Sequence, residues 1–132
     1  MRKMAGIRIG EKDYPMKMDL NVLEHIQEEY GSINQFERDI LGIEYVKDEN
    51  GKQLYTKAGD CQMRIVEPSV KAIKAVLPVM INEGLAIEAD IRGGEYVPVS
   101  EQEIFRECQI PFEDLADMIH KEFTRCFETK KE

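Results

Sequence analysis

The segment GIRIGEKDYPMKMDLNVLEHIQEEYG, residues 6–31, decides the N-terminal half of the fold because its hydrophobic periodicity changes partway along. In its first half apolar and polar residues alternate, which is typical of β-strands. Gly10 separates the two alternating runs and favours a tight turn that sets Ile7 opposite Tyr14. We therefore predict a β-hairpin over residues 6–18.

The second half of the segment follows a helical pattern. Its apolar residues recur three or four positions apart at Leu23, Ile26 and Tyr30. Asp19 or Asn21 can cap the N-terminus of this helix. Ser32 opens a second helical pattern, which Gly42 can end in a left-handed conformation. The sequence thus predicts helices across residues 20–41.

The middle of the chain, residues 43–66, has a different character because turn residues separate its short apolar runs. Asn50-Gly51 is a strong hairpin signal, since both residue types readily adopt positive φ angles. A two-residue loop at these positions would pair Glu49 with Lys52. We predict a second hairpin in this insert, and the run CQMRI can add a third short strand.

The C-terminal half predicts three further helices. They cover residues 68–90, 100–108 and 111–128. Pro68 suits the first turn of the first of these helices, and Pro78 inside it is expected to cause a kink. Together the elements predict a mainly helical α+β fold. At 132 residues the chain is too short for two independent cores, so we expect residues 1–132 to form a single domain.

Composition and charge argue against several classes of partner. The chain is 42% hydrophobic and 33% charged, as in soluble globular proteins, and its net charge is -8. Residues 21–50 and 101–132 carry most of the acidic excess, and no basic stripe is present to neutralise phosphates. Nucleic acids and anionic membranes are therefore not expected partners. With no apolar run long enough for a membrane span or a secretory signal, we expect an intracellular protein.

Residue types that build catalytic and metal sites are few and scattered. The two histidines, His25 and His120, do not occur in a spacing that ligates metals, so we interpret them as surface or boundary residues. The three cysteines, Cys61, Cys108 and Cys126, lack close pairs and fit reduced thiols. We predict no enzyme activity and no catalytic, cofactor-binding or metal site. The alternative is a small enzyme with a thiol site at Cys61.

The last helix carries the most regular apolar stripe of the chain. Such a stripe usually packs against the core of its own domain. A helix this apolar along one side can also fit a groove in a partner protein. On that hypothesis the partner-binding residues are Phe112, Leu115, Ile119, Phe123 and Phe127.

Three segments carry a resemblance to a known family: RIGEKDYPMKMDLNVLEHIQEEYGSINQF, EPSVKAIKAVLPVMINEGLAIEAD and VSEQEI. They resemble the tail assembly chaperones encoded by long-tailed bacteriophages and prophages of Gram-positive bacteria. The likeness covers residues 7–42 and 67–106, and LPVMINEGLAIE, residues 77–88, is its most specific part. Residues 43–66 and the tail from Gln109 onwards depart from the family pattern.

The resemblance implies a non-enzymatic assembly factor of the host bacterial cytoplasm that is absent from the mature virion. Family members bind the long tape measure protein and keep it soluble, and recruitment of tail tube protein is a second expected role. Self-association stays open. A different class of function is also compatible with the acidic composition, namely a phage or prophage regulatory protein that binds a host factor.

Overall fold

The computed structural model describes residues 4–128, and within them it contains two short antiparallel sheets and five α-helices. In chain order the elements are β1 (Ala5–Ile9), β2 (Lys12–Met16), α1 (Leu20–His25), a π-helical segment (Ile26–Tyr30), α2 (Ile33–Leu41), β3 (Ile43–Tyr45), β4 (Met63–Ile65), α3 (Val70–Arg92), α4 (Glu101–Glu107) and α5 (Phe112–Cys126). This confirms the predicted α+β class and its mainly helical character.

The N-terminal hairpin has the predicted register. β1 pairs antiparallel with β2, Ile7 lies opposite Tyr14, and Gly10 takes a φ of 61° in the turn. The hairpin then lies on α3, where Gly84 provides the space for Pro15. A Cβ atom at Gly84 would be only 2.9 Å from the Cβ atom of Pro15, which is too close for an undistorted contact. The absence of a side chain at this position therefore sets how closely the hairpin approaches α3.

The predicted helical region 20–41 is present as three consecutive segments. Asp19 caps α1, since its side chain accepts a hydrogen bond from the backbone N–H of Val22 at 3.2 Å. The π-helical segment ends at Gly31, whose N–H donates to the carbonyl oxygen of Ile26. The π-helical geometry is not evident from the sequence, because it leaves the spacing of the apolar residues nearly unchanged.

The turn in the middle insert differs from the prediction. Lys47 pairs with Gln53, and the N–H of Asp48 donates to the carbonyl oxygen of Lys52 at 2.9 Å. The loop therefore contains the three residues 49–51, and the predicted pairing of Glu49 with Lys52 is wrong by one position. The cause is the side chain of Asp48, whose Oδ1 accepts hydrogen bonds from the backbone N–H groups of Asn50 at 2.8 Å and Lys52 at 2.9 Å. A carboxylate that takes both donors stabilises the longer loop. The predicted third strand is present as β4, which pairs with β3.

The three C-terminal helices begin and end within two residues of the predicted bounds. One detail is corrected: Pro68 lies just before α3 rather than in its first turn, and Ser69 caps the helix by accepting from the N–H of Ala72 at 3.1 Å. Pro78 lies inside α3 as expected. Ser100 caps α4 in the same manner, with the N–H of Glu103 as donor.

Helix α3 lies at the centre of the fold, since the N-terminal hairpin and the other helices all contact it. Its most deeply buried side chains are Ala72, Ile73, Val76, Leu77, Met80 and Ile81, each exposed by 1% or less. Ile104 of α4 and Ile119 of α5 complete the core with fully buried side chains. Within residues 4–128 no helix combines the length and apolar character needed to cross a membrane.

Candidate partner-binding surface

The five residues predicted to bind a partner lie in different environments. Leu115, Ile119 and Phe123 belong to the hydrophobic core and are exposed by only 5%, 0% and 5%. Phe112 is half-buried, whereas Phe127 has an exposed fraction of 58%. Most of the stripe is thus occupied by packing within the domain. The partner-binding role of the five residues stays a prediction, and Phe127 is the one among them that a partner reaches directly.

A series of aromatic contacts leads from the core to Phe127. Tyr30 meets Phe36 edge-on with ring centroids 5.6 Å apart, and Phe36 contacts Phe123 at 6.1 Å. Phe127 in turn packs edge-on against Phe123, with the centroids 5.0 Å apart. Edge-to-face pairs of this kind are favourable beyond the area they bury. The exposed ring is therefore supported by a buried one, which gives it a fixed position at the surface.

An open groove of about 690 Å³ lies beside Phe127, between the C-terminal end of α5 and the junction of the π-helical segment with α2. Its apolar lining is Ile33, Phe123 and Phe127. Its polar lining is Gln27, Ser32, Asn34, Glu37 and Thr124. An apolar patch bordered by polar groups is typical of surfaces that bind proteins or peptides. We call this feature the α5 groove.

A polar contact between α2 and α5 fixes one side of the α5 groove. The Nε2 atom of His120 lies 3.0 Å from a carboxylate oxygen of Glu37. The His120 ring also stacks on Phe123, with the ring planes 21° apart. Both polar side chains are half-buried, so the contact holds the two helices in register and orients Glu37 at the groove.

The electrostatics of the α5 groove favour a partner without negative charge. Glu37 is the one charged residue among the described lining residues, and none of them is basic. The groove also lies where the two most acidic parts of the sequence, residues 21–50 and 101–132, meet. An apolar segment with basic flanks therefore suits this surface best.

A larger cleft, with a volume of about 910 Å³, lies between the tip of the N-terminal hairpin and α4. Its lining combines both signs of charge. These charged residues are Glu11, Lys12, Glu103, Arg106 and Glu107. Ile9 and Tyr14 supply its apolar part, and its described lining includes neither histidine nor cysteine. We interpret it as a solvated surface depression between two packed elements.

All three cysteines are half-buried free thiols. Burial, with a further contribution from the charge of Asp19, raises the pKa of Cys126, which disfavours the reactive thiolate. Among residues 4–128 no cluster of three or more histidine, cysteine or acidic side chains is suited to hold a metal ion.

One carboxyl group, that of Glu83, has a raised pKa. A hydrogen bond with Asp19, followed by burial, raises the pKa of Glu83, and the two carboxyls are close enough to compete for a proton. Asn21 donates from Nδ2 to Glu83 at 2.8 Å, which opposes the rise. The shallow cleft beside Glu83 is lined by no histidine, cysteine or serine among the described residues. We therefore interpret the pair as a link between α1 and α3.

Sequence reasoning missed most of the lining of the α5 groove. Gln27, Ile33 and Thr124 come from three different elements, so no local pattern indicates that they converge. Phe123 and Phe127 were predicted, because they belong to the apolar stripe of the last helix, although the structure places Phe127 just beyond the last helical residue, Cys126. Comparison of the chain with protein-family models, with curated proteins and with solved structures finds no match in any of the three.

Proposed function

We propose that the protein is a non-enzymatic tail assembly chaperone of a long-tailed bacteriophage or prophage of Gram-positive bacteria. It binds the tape measure protein in the host cytoplasm and keeps it soluble until tail tube protein assembles around it. The sequence resemblance in residues 7–42 and 67–106 suggests this class, and the α5 groove supplies a surface suited to the task.

The observation that carries the proposal is the exposed ring of Phe127 beside an open, partly apolar groove. A long helical protein waiting for its partners exposes apolar side chains that otherwise cause aggregation. Open, partly apolar grooves bind the apolar face of an amphipathic helix. The net charge of -8 would keep the resulting complex soluble.

The charge of the surface further defines the expected partner segment. Because the groove contains Glu37 and no basic group among its described residues, a helical segment with apolar residues and basic flanks would bind best. Attraction between opposite charges at the rim speeds association and weakens as salt is added. We therefore expect capture of the partner to decrease as ionic strength rises.

The test is affinity capture with the tagged protein from the host after prophage induction, with the captured proteins identified by mass spectrometry. Wild-type protein is compared with Phe127→Ala and with Leu20→Ala, a control that truncates another exposed apolar side chain. We expect the tape measure protein as the main captured species, a marked loss with Phe127→Ala, and no change with the control.

Two results would contradict the proposal. Capture of host transcription or defence factors in place of a tail protein would favour the regulatory class of function. Equal capture of the tape measure protein by Phe127→Ala and wild-type protein would keep the function but exclude the α5 groove as its binding surface.

A further inference from the structure

The insert of residues 43–66 folds without contributing to the core. None of its side chains is buried, and the core is built entirely from elements before and after it. Yet several of its apolar side chains are well exposed, with fractions of 90% for Ile65, 60% for Tyr55 and 53% for Met63. A segment that adds no core and displays apolar side chains has the properties of an interaction module.

The insert has a defined shape because its backbone closes a ring of hydrogen bonds. The N–H of Val46 donates to the carbonyl of Gln62, that of Gln62 to Leu54, and that of Leu54 to Val46, at 2.9–3.0 Å. The side-chain Nε2 of Gln53 lies 2.7–3.3 Å from the same three carbonyl oxygens. This ring replaces the buried side chains that usually hold a loop in one conformation.

Two equivalent turns extend from this ring. In each turn a glycine with positive φ, 81° for Gly51 and 92° for Gly59, donates to the carbonyl three residues earlier. The acceptors are Asp48 and Thr56. Because its turns and its centre are fixed by the backbone, the insert presents its side chains with little conformational freedom left to lose on binding.

One face of the β3–β4 pair is apolar. Ile43 lies opposite Ile65 and Tyr45 opposite Met63, and the strand alternation places all four side chains on the same face. Glu44 and Arg64, the intervening pair, form an ion pair on the opposite face. We call the four-residue apolar surface the insert face. Arg38 of α2 covers its Tyr45 end, with the guanidinium carbon 4.6 Å from the ring centroid, and leaves Met63 and Ile65 open.

The charge distribution points to the occupant of the insert face. Residues 43–66 contain four acidic and four basic residues and are neutral, so the whole net charge of -8 lies on the rest of the chain. A basic partner would be attracted to the acidic body and not to this neutral segment. Because the rest of the chain carries the whole net charge, two copies repel each other less when a neutral segment of each faces the other. The insert face combines such a neutral segment with exposed apolar side chains, so a second copy can approach it at low electrostatic cost.

We propose that the insert face binds the same face of a second copy across a two-fold axis. Such an isologous contact is self-complementary, because each copy supplies the open side chains of Met63 and Ile65 to the other. With four residues, the insert face is far smaller than the roughly 20–30 residues per partner of a standard interface. We therefore expect a weak dimer with a dissociation constant on the order of 100 μM. This inference does not depend on the proposed chaperone function.

The test is sedimentation equilibrium of the full chain from about 5 μM to about 500 μM, at low and at moderate salt. Wild-type protein is compared with the variant Ile65→Asp. The matched control is Ile91→Asp, which places the same charge at another isoleucine, 70% exposed near the end of α3. Met63→Asp serves as a second variant of the insert face. Circular dichroism and thermal unfolding verify that each variant is folded.

We expect a concentration-dependent dimer whose dissociation constant falls as salt screens repulsion between the acidic bodies. Ile65→Asp and Met63→Asp should each raise the constant at least about tenfold, and Ile91→Asp should behave as wild type does. A wild-type protein that stays monomeric at the highest concentration would overturn the proposal. So would a dimer that survives both insert variants, or one that Ile91→Asp dissociates equally well.

Discussion

The exposed ring of Phe127 rests edge-on against the buried ring of Phe123, with centroids 5.0 Å apart and ring planes 64° apart. Four positions along one stripe thus separate a core residue from a surface residue, because α5 ends at Cys126 and the two described residues after it, 127 and 128, are exposed. Core packing by Phe123 and the proposed partner binding by Phe127 therefore involve neighbouring aromatic residues that can be altered separately.

The first prediction separates these two roles. Phe123→Ala removes a side chain that is 5% exposed and should lower the free energy of unfolding by about 3–5 kcal/mol. Phe127→Ala should cost about 1 kcal/mol, since its ring is 58% exposed and loses mainly the aromatic contact. Urea unfolding followed by circular dichroism measures both. Similar losses in the two variants would mean that Phe127 is part of the core.

The second prediction concerns the close approach of the hairpin to α3. Gly84→Ala places a Cβ atom 2.9 Å from the Cβ of Pro15 and 3.0 Å from its carbonyl carbon, so the hairpin must shift. We expect a loss of about 1–3 kcal/mol, as for other overpacked cores. Gly94→Ala is the control, because a Cβ there meets nothing within 4 Å. If thermal unfolding shows Gly84→Ala to be as stable as the control, the proposed tight contact does not exist.

Two turns show how far sequence reasoning reached in this fold. The register of the N-terminal hairpin was predictable because alternation and Gly10 are local signals that agree. The register at Asn50-Gly51 was not, since the carboxylate of Asp48 captures two backbone donors and selects a longer loop. A side chain outside the two-residue signal thus decided which turn forms.

The candidate site was harder to predict than the fold. The stripe of α5 was visible in the sequence, but burial of Leu115 and exposure of Phe127 depend on where neighbouring elements end. Ile33 and Thr124 reach the α5 groove only through tertiary packing. The exposure of Ile65 likewise follows from a backbone ring in the insert that carries no hydrophobic periodicity.

The third prediction concerns the hydrogen bond from the Tyr30 hydroxyl to Asp39, which joins the π-helical segment to α2. Burial, and then Asp39, raises the pKa of Tyr30 to about 12. The folded state therefore favours the neutral phenol over the phenolate. The stability that Tyr30 contributes in this way is fully present below the ordinary pKa of about 10, and it is lost as the pH rises towards 12.

Tyr30→Phe should lower the free energy of unfolding by about 1 kcal/mol at pH 7, and its difference from wild type should shrink in alkaline solution. Tyr55→Phe is the control, since this exposed tyrosine lies in the insert and should change stability little at either pH. Spectrophotometric titration of the phenols gives an independent measurement. A constant difference between Tyr30→Phe and wild type from neutral to alkaline pH would contradict the assigned pKa.

The last prediction follows from the carboxyl pair of Asp19 and Glu83. The hydrogen bond with Asp19 and burial raise the pKa of Glu83 in the folded protein. For an acid, a raised folded pKa means that its ionised form is less favourable in the folded state than in the unfolded state. Glu83 therefore lowers stability at neutral pH, and protonation relieves this cost as the pH falls through its folded pKa.

Glu83→Gln removes the charge while keeping an oxygen that can accept from Asn21 and an amide that can donate to Asp19. We expect the variant to be more stable than wild type by roughly 0.5 kcal/mol at pH 7. The effect is small because the two carboxyl groups are partly solvated. The difference in stability should disappear in acid. Glu88→Gln is the matched control, since it removes one charge from the same helix. Urea unfolding at pH 7 and in acid measures the stability of both variants. Equal stabilisation of Glu83→Gln and Glu88→Gln would mean that the effect comes from net charge. Stabilisation of Glu83→Gln alone would assign the effect to the contact with Asp19.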